Sequence, residues 1–257
     1  MTNELAVFRH GDTKYLHPYA RDQSLEDAND LTEKWIQHVR EETAEFLADG
    51  LWNRDKVVIW TSSMPRAMHT AKIIKEEIKN SEQWKNLEIR IKAFDLFQDI
   101  INFEPYKNLF VALIKWWKYT ENWQTYKFDK KITNPDNLSA AEYYFRDDIY
   151  KIDLNWNNYP PSLWEYLKTV EPNKDILKRL IRFLKKIKRL GENNYKIILV
   201  SHWSFIYPLH RFVWNMDVLG KWDFIELYWD SNWFYLKWDS EKKEILQILE
   251  EYSKKTV

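Results

Sequence analysis

The sequence predicts an α/β protein, a three-layer α/β/α sandwich with a mostly parallel central sheet and an inserted aromatic-rich cap. Three observations predict it. Apolar, β-branched runs alternate with segments of helical period, the pattern of parallel strands joined by crossover helices. Three of these runs lead directly into Arg or His: Arg9-His10, the turn before Arg66, and His202. One long basic segment repeats apolar residues at helical spacing and stops at Gly191.

The first run, Leu5 to Phe8, reads as a strand that delivers Arg9 and His10 to its carboxyl end. Open α/β sheets bind ligands at that edge. Gly11 then lets the backbone turn sharply and pass close to an anion. Thr32 is a candidate N-cap for a helix that buries Ile36, Val39 and Leu47 and ends near Gly50. Val57 to Ala71 reads as a strand, a tight turn and a helix whose first turn carries Arg66, and that helix runs to about Asn80 with Ala67, Ala71, Ile74 and Ile78 on one face. A third strand covers Leu87 to Ile91.

The segment from about 100 to 161 departs from this rhythm. It is dense in aromatics, Trp116, Trp117 and Trp123 among them, and closes with Pro160-Pro161. As an insertion after the third strand it is expected to lie over the carboxyl edge of the sheet and shape substrate access. A helical pair packing its aromatics into its own small core is the alternative. Beyond it, the helix from Asp175 to Leu190 turns Ile176, Leu180, Phe183, Leu184 and Ile187 inward and its Lys and Arg outward. Lys196 to Val200 is a strand followed by Ser201 and His202. Phe224 to Trp229, Trp233 to Trp238 and Glu244 to Leu249 read as further strands that extend the sheet, joined by turns around Asp230-Ser231-Asn232 and Asp239-Ser240.

At 257 residues the chain suits a single α/β domain with a cap insertion, burying about 70 to 75% of its extended surface. Lys plus Arg and Asp plus Glu both number 39, so no net charge favours nucleic acid or an anionic membrane, and a small molecule is the expected partner. Oligomeric state leaves no mark in the sequence. There is no cysteine, hence no disulfide framework and no thiolate metal site. The amino terminus lacks a basic segment leading into an apolar stretch, and no run approaches a membrane span, so a cytoplasmic protein is expected.

The pairing of Arg9 with His10 suits chemistry on phosphate, and Arg66 and His202 at two further strand ends strengthen it. Arg9-His10-Gly11-Asp12-Thr13, Leu31-Thr32-Glu33-Lys34, Ser62 to Ala71 and Ser201-His202 together resemble the histidine phosphatase superfamily, also called the phosphoglycerate mutase-like family. The first motif is similar to its nucleophile segment, the third to that of its second arginine, and the fourth to that of its second histidine. The resemblance runs through most of the chain but leaves the region from about 100 to 161 unplaced.

The resemblance implies a phosphomonoesterase in which His10 attacks phosphorus and forms a phosphohistidine. Neutral imidazole is a competent nitrogen nucleophile near pH 7. Arg9 and Arg66 would hold phosphoryl oxygens with their forked donors, and His202, protonated when phosphate is bound, would donate to another oxygen. Thr13 joins the substrate-binding set. His17 is a candidate for the position of an Asn that relatives place six residues after the nucleophile, where this chain has Leu16. No metal or other cofactor is implied. A leaving alkoxide needs a proton, and the resemblance places the acid after the third strand. There Phe97-Gln98-Asp99 fits best and selects Asp99, with Asp95 and Glu104 next and a solvated loop Asp as the alternative. His69 is expected to pack or bond locally, and His38 and His210 to be structural.

Two other functions remain open. A cofactor-dependent phosphoglycerate mutase would use the same phosphohistidine, but mutases continue their nucleophile motif with Trp-Asn, whereas this chain continues Gly11-Asp12-Thr13-Lys14-Tyr15-Leu16. A non-catalytic phosphate-binding module is the other.

Composition adds one anomaly. The chain holds 15 Trp and only 4 Gly, where average usage predicts roughly 18 Gly. Trp35 and Trp203 stand where relatives carry glycine. Either the protein is aromatic-rich, with Trp203 as a stacking wall for substrate, or many of these tryptophans are UGA codons that the source reads as glycine.

Overall fold

The computed structural model describes residues 3–10, 31–48, 56–98, 109, 112, 118–127, 160–163, 165, 173–189, 196–202, 205–206, 209, 224–229, 234–236 and 245–255. They fall in two compact units, one made of Met1–Asp99 with Arg179–Tyr252 and the other of Ile100–Lys178 with Ser253–Val257.

In the first unit a six-stranded sheet has the order β3-β2-β6-β1-β7-β8. Its strands are β1 (Asn3–Arg9), β2 (Lys56–Ser62), β3 (Glu88–Phe94), β6 (Lys196–Ser201), β7 (Phe224–Trp229) and β8 (Phe234–Leu236). Strands β3, β2, β6 and β1 run parallel. Strands β7 and β8 add an antiparallel extension. Strand β6 lies inside the sheet and is buried at every position, which is why Ile197 to Val200 read as an unbroken apolar run.

Helices α1 (Glu33–Ala48) and α2 (Pro65–Asn80) cover one face. Their Val39, Phe46, Ala67, Ala71, Ile74 and Ile78 join Phe8, Ile59, Ile198 and Val200 in one buried cluster. Thr32 caps α1 as expected: its Oγ1 accepts a hydrogen bond from Trp35 N at 3.3 Å. Such a cap contributes about 1 kcal/mol. On the other face, alternate residues of β2 point the opposite way, and Trp60 meets Phe94, Phe97 and Phe183. Phe183 belongs to α3 (Asn173–Lys188), whose Ile176, Leu180, Phe183, Leu184 and Ile187 are all fully buried. Helices on both faces of a mostly parallel sheet make the predicted α/β fold.

Three readings need correction. Residues Glu244 to Leu249 do not extend the sheet: α4 (Ile245–Lys255) is a helix, and its buried Ile245, Leu246 and Leu249 follow the helical period rather than alternation. Strand β3 continues past Ile91 to Phe94, so Asp95 is the first residue beyond it. Arg179 of α3 is buried rather than solvated, because it sits three residues after Ile176 and four before Phe183, on the apolar stripe itself.

In the second unit, β4 (Lys118–Glu121) and β5 (Gln124–Lys127) form an antiparallel hairpin. Thr120 and Thr125 bond across it at 3.1 Å. Ser162 N donates to Glu121 Oε2 at 3.1 Å. Most of the aromatic-rich segment lies outside the described residues.

Candidate active site

Parallel register brings the carboxyl ends of four strands to one edge of the sheet. Arg9 pairs with Ser201, Thr61 with Val200, and Ser62 with Phe94. His10 N donates to Ser201 O at 2.9 Å, one step past the β1 ladder. His202 follows Ser201 directly, and its carbonyl accepts from Phe205 N and Ile206 N at 3.0 and 3.1 Å, which turns the chain into helix.

Arg66 reaches the same edge from α2. Pro65 occupies the first turn of that helix, where its missing N–H costs nothing. Ser62 Oγ accepts from Met64 N at 3.2 Å and tightens the strand-to-helix turn. Arg66 is thereby held at the helix start, with only 7% of its surface exposed.

Its Nε lies 3.2 Å from His10 Nε2 and 3.3 Å from His202 Nδ1. The two imidazole rings stand 4.7 Å apart between centroids. A guanidinium nitrogen only donates, so in this arrangement both ring nitrogens accept and carry no proton. His202 Nε2 then bears the hydrogen and faces Ser62 Oγ at 2.9 Å. His202 and Ser62 are fully buried, whereas His10 and Arg9 are half-buried and reach solvent. Of the two histidines, His10 is thus the one that reaches solvent.

The structure therefore brings His10, Arg66 and His202 into direct contact and sets Arg9 beside them at the end of β1. Thr13, His17, Asp99, Glu104, His210 and Trp203 lie outside the described residues. Asp95 stands at the start of a 3-10 turn, Asp95–Phe97, where its exposed Oδ1 accepts from Ser63 Oγ at 2.6 Å and from Gln98 Nε2 at 2.9 Å. His38 stays on the surface of α1, 4.7 Å from the Trp35 ring and 4.0 Å from Glu42, and His69 is half-buried on α2.

Sequence reasoning missed Ser62 and Arg179. Ser62 ends β2 just as Arg9 ends β1, and that strand-end position was the available signal. Among the described residues no group of three or more His, Asp or Glu is arranged to hold a metal ion, and no helix is long and apolar enough to cross a membrane.

Sheet order and flanking helices define an α/β protein whose fold is similar to that of phosphoglycerate mutase. The particular structure that carries this assignment is a phosphoglycerate mutase from Bacillus anthracis, 17% identical, with a TM-score of 0.57 over 98% of this chain and 97% of that one. Bacillus stearothermophilus YhfR is also 17% identical, with a TM-score of 0.49 over 95% and 99%. A phosphoserine phosphatase from Entamoeba histolytica is 16% identical, with a TM-score of 0.46 over 96% and 99%. No protein-family model matches the sequence, and no curated protein matches it.

Proposed function

We propose that this protein is a metal-independent phosphomonoesterase that works through a phosphohistidine on His10. The observation that carries the reading is the single Arg66 Nε–H shared between His10 Nε2 and His202 Nδ1 at the carboxyl edge of the sheet. It holds two imidazoles and a guanidinium where an incoming phosphate would find donors on several sides and a nitrogen nucleophile on one.

In the first step the His10 Nε2 lone pair forms the P–N bond as the P–O bond to the leaving group breaks. The leaving oxygen takes its proton from a carboxylic acid of the segment after β3, Asp99 first, then Asp95 or Glu104. In the second step water attacks phosphorus, the same carboxylate takes the water proton, and the P–N bond breaks to free His10. Arg9, Arg66 and His202 stabilise the equatorial oxygens in both steps, the charge-stabilising term that slow phosphate-ester cleavage needs most. Thr13 and His17 are assigned to substrate binding. The aromatic composition of residues 100–161 supports assigning substrate choice to that segment, and the substrate is a small phosphorylated molecule in the cytoplasm.

The test is release of inorganic phosphate from p-nitrophenyl phosphate in the presence of a chelator, followed by assay with 3-phosphoglycerate. Phosphate release that survives chelation supports the reading. Conversion of 3-phosphoglycerate to its isomer without net phosphate release identifies a mutase. Phosphate binding with no turnover of either compound identifies a binding module.

A further inference from the structure

We propose that Arg179 is a positioning residue for the carboxylate-bearing turn after β3; the proposal rests on the phosphomonoesterase reading. Arg179 Nη1 donates to Leu96 O at 2.8 Å and to Gln98 O at 2.9 Å. Between them, Phe97 O accepts from Ser201 Oγ at 2.8 Å. Three consecutive carbonyls that have left the β ladder are thus held by side chains from α3 and β6, and Ser201 is the neighbour of His202.

This turn opens with Asp95, one of the candidate acids, and in the sequence Asp99 follows Gln98. Its Gln98 Nε2 also donates to Ser63 Oγ at 2.9 Å, tying the turn to the residue beside Ser62. Burying a guanidinium carries a desolvation cost, and an apolar residue would serve packing alone on this stripe. Arg179 instead lies against Phe205, 5.7 Å from guanidinium carbon to ring centroid, and aims its fork at the turn. Both bonds come from one nitrogen, Nη1, whose two N–H groups are fixed in the guanidinium plane, an orientation that a freely rotating lysine ammonium does not fix.

The experiment compares kcat/KM for glycerol phosphate and p-nitrophenyl phosphate in the full chain, Arg179→Met and Arg179→Lys. A misplaced acid should lower the Met variant on glycerol phosphate by about 10- to 10²-fold, with far less effect on p-nitrophenyl phosphate, whose leaving group departs without a proton. Where the Met variant fails to fold, the Lys variant, which keeps the stem and charge, is read in its place and should shift the ratio in the same direction. Equal losses on both esters, or none, overturn the positioning role while leaving the phosphatase reading intact. A parent protein inactive on both esters overturns that reading and this role with it.

An independent observation supports a second inference. The tip of the β4–β5 hairpin is Asn122-Trp123, with φ of 49° and 65° and the Trp123 side chain fully exposed. Two consecutive left-handed residues between paired strands make a type I′ turn, for which Asn-Gly is the favoured sequence. A bulky side chain at such a φ is an outlier. Set beside 15 Trp and 4 Gly, the geometry points to codon 123 being a UGA that the source of this protein reads as glycine. Sequencing the gene and weighing the tryptic peptide of the protein purified from its source decide it. UGA at codon 123 with a glycine-mass residue is the expected result; UGG, or a tryptophan-mass residue, overturns the inference.

Discussion

His202 Nε2 stands 2.9 Å from Ser62 Oγ, inside the protein, with both side chains fully buried. Arg66 donates to the other ring nitrogen and so sets the tautomer of His202, and this contact sets the direction in which its ring faces. Ser62→Ala should therefore lower kcat/KM about 5- to 10-fold, the equivalent of losing one hydrogen bond of roughly 1 kcal/mol. Nitrogen chemical shifts of the His202 ring check the cause. A variant that keeps the wild-type Nε2 shift and rate would show the contact to be incidental.

Replacement of His10 should remove turnover and leave the fold, since His10 lies half-buried at a strand end rather than in the core. In His10→Ala the thermal transition should stay close to that of the parent while phosphate release disappears. Quenching the parent with substrate should trap acid-labile, alkali-stable phosphate on His10. Retention of more than a small fraction of activity would exclude the nucleophile.

The acid can be found by comparing leaving groups. If Asp99 protonates the departing oxygen, Asp99→Asn slows alkyl phosphates by about 10²- to 10⁴-fold and affects p-nitrophenyl phosphate much less. Asp95→Asn measured in the same way assigns the role to Asp95 if the selective loss appears there. Selective loss in neither variant moves the assignment to Glu104.

A stability prediction comes from the far end of the sheet. Lys196 Nζ is buried 3.0 Å from Glu4 Oε2 and 3.6 Å from Glu226 Oε1, and lies 4.4 Å from the Phe46 ring centroid. Lys196→Met leaves two buried carboxylates without this cation and should cost about 3–5 kcal/mol, read from the denaturant midpoint. Adding Glu4→Gln and Glu226→Gln should recover part of that loss. The site stands at the other end of β6, so the folded fraction should keep its specific activity; a loss per folded molecule would link the two ends.

Trp123→Gly in a chain made with tryptophan at that position should raise stability by about 1 kcal/mol by relieving a left-handed conformation. Thermal denaturation checks this, and an unchanged transition would mean that the turn carries no such strain.

By itself the sequence determined the α/β class, the strand ends that carry Arg9, His10 and His202, and the helix that presents Arg66. Each depends on local information: an apolar run that ends, a residue type at the next position, or a 3.6-residue stripe. The same local signals misled at Glu244 to Leu249, where a short apolar run fits either period and the burial of Ile245, Leu246 and Leu249 decided for helix. They were mute at the β4–β5 hairpin, since Asn122-Trp123 is no hairpin signal although Asn-Gly would be one. Only the tertiary structure decided that one Arg66 nitrogen serves both His10 and His202, that Ser62 orients His202, and that Arg179 holds the turn after β3. The physical reason is separation along the chain: these contacts join residues far apart in sequence, and their geometry is set by the register of parallel strands, which no window of neighbouring residues contains.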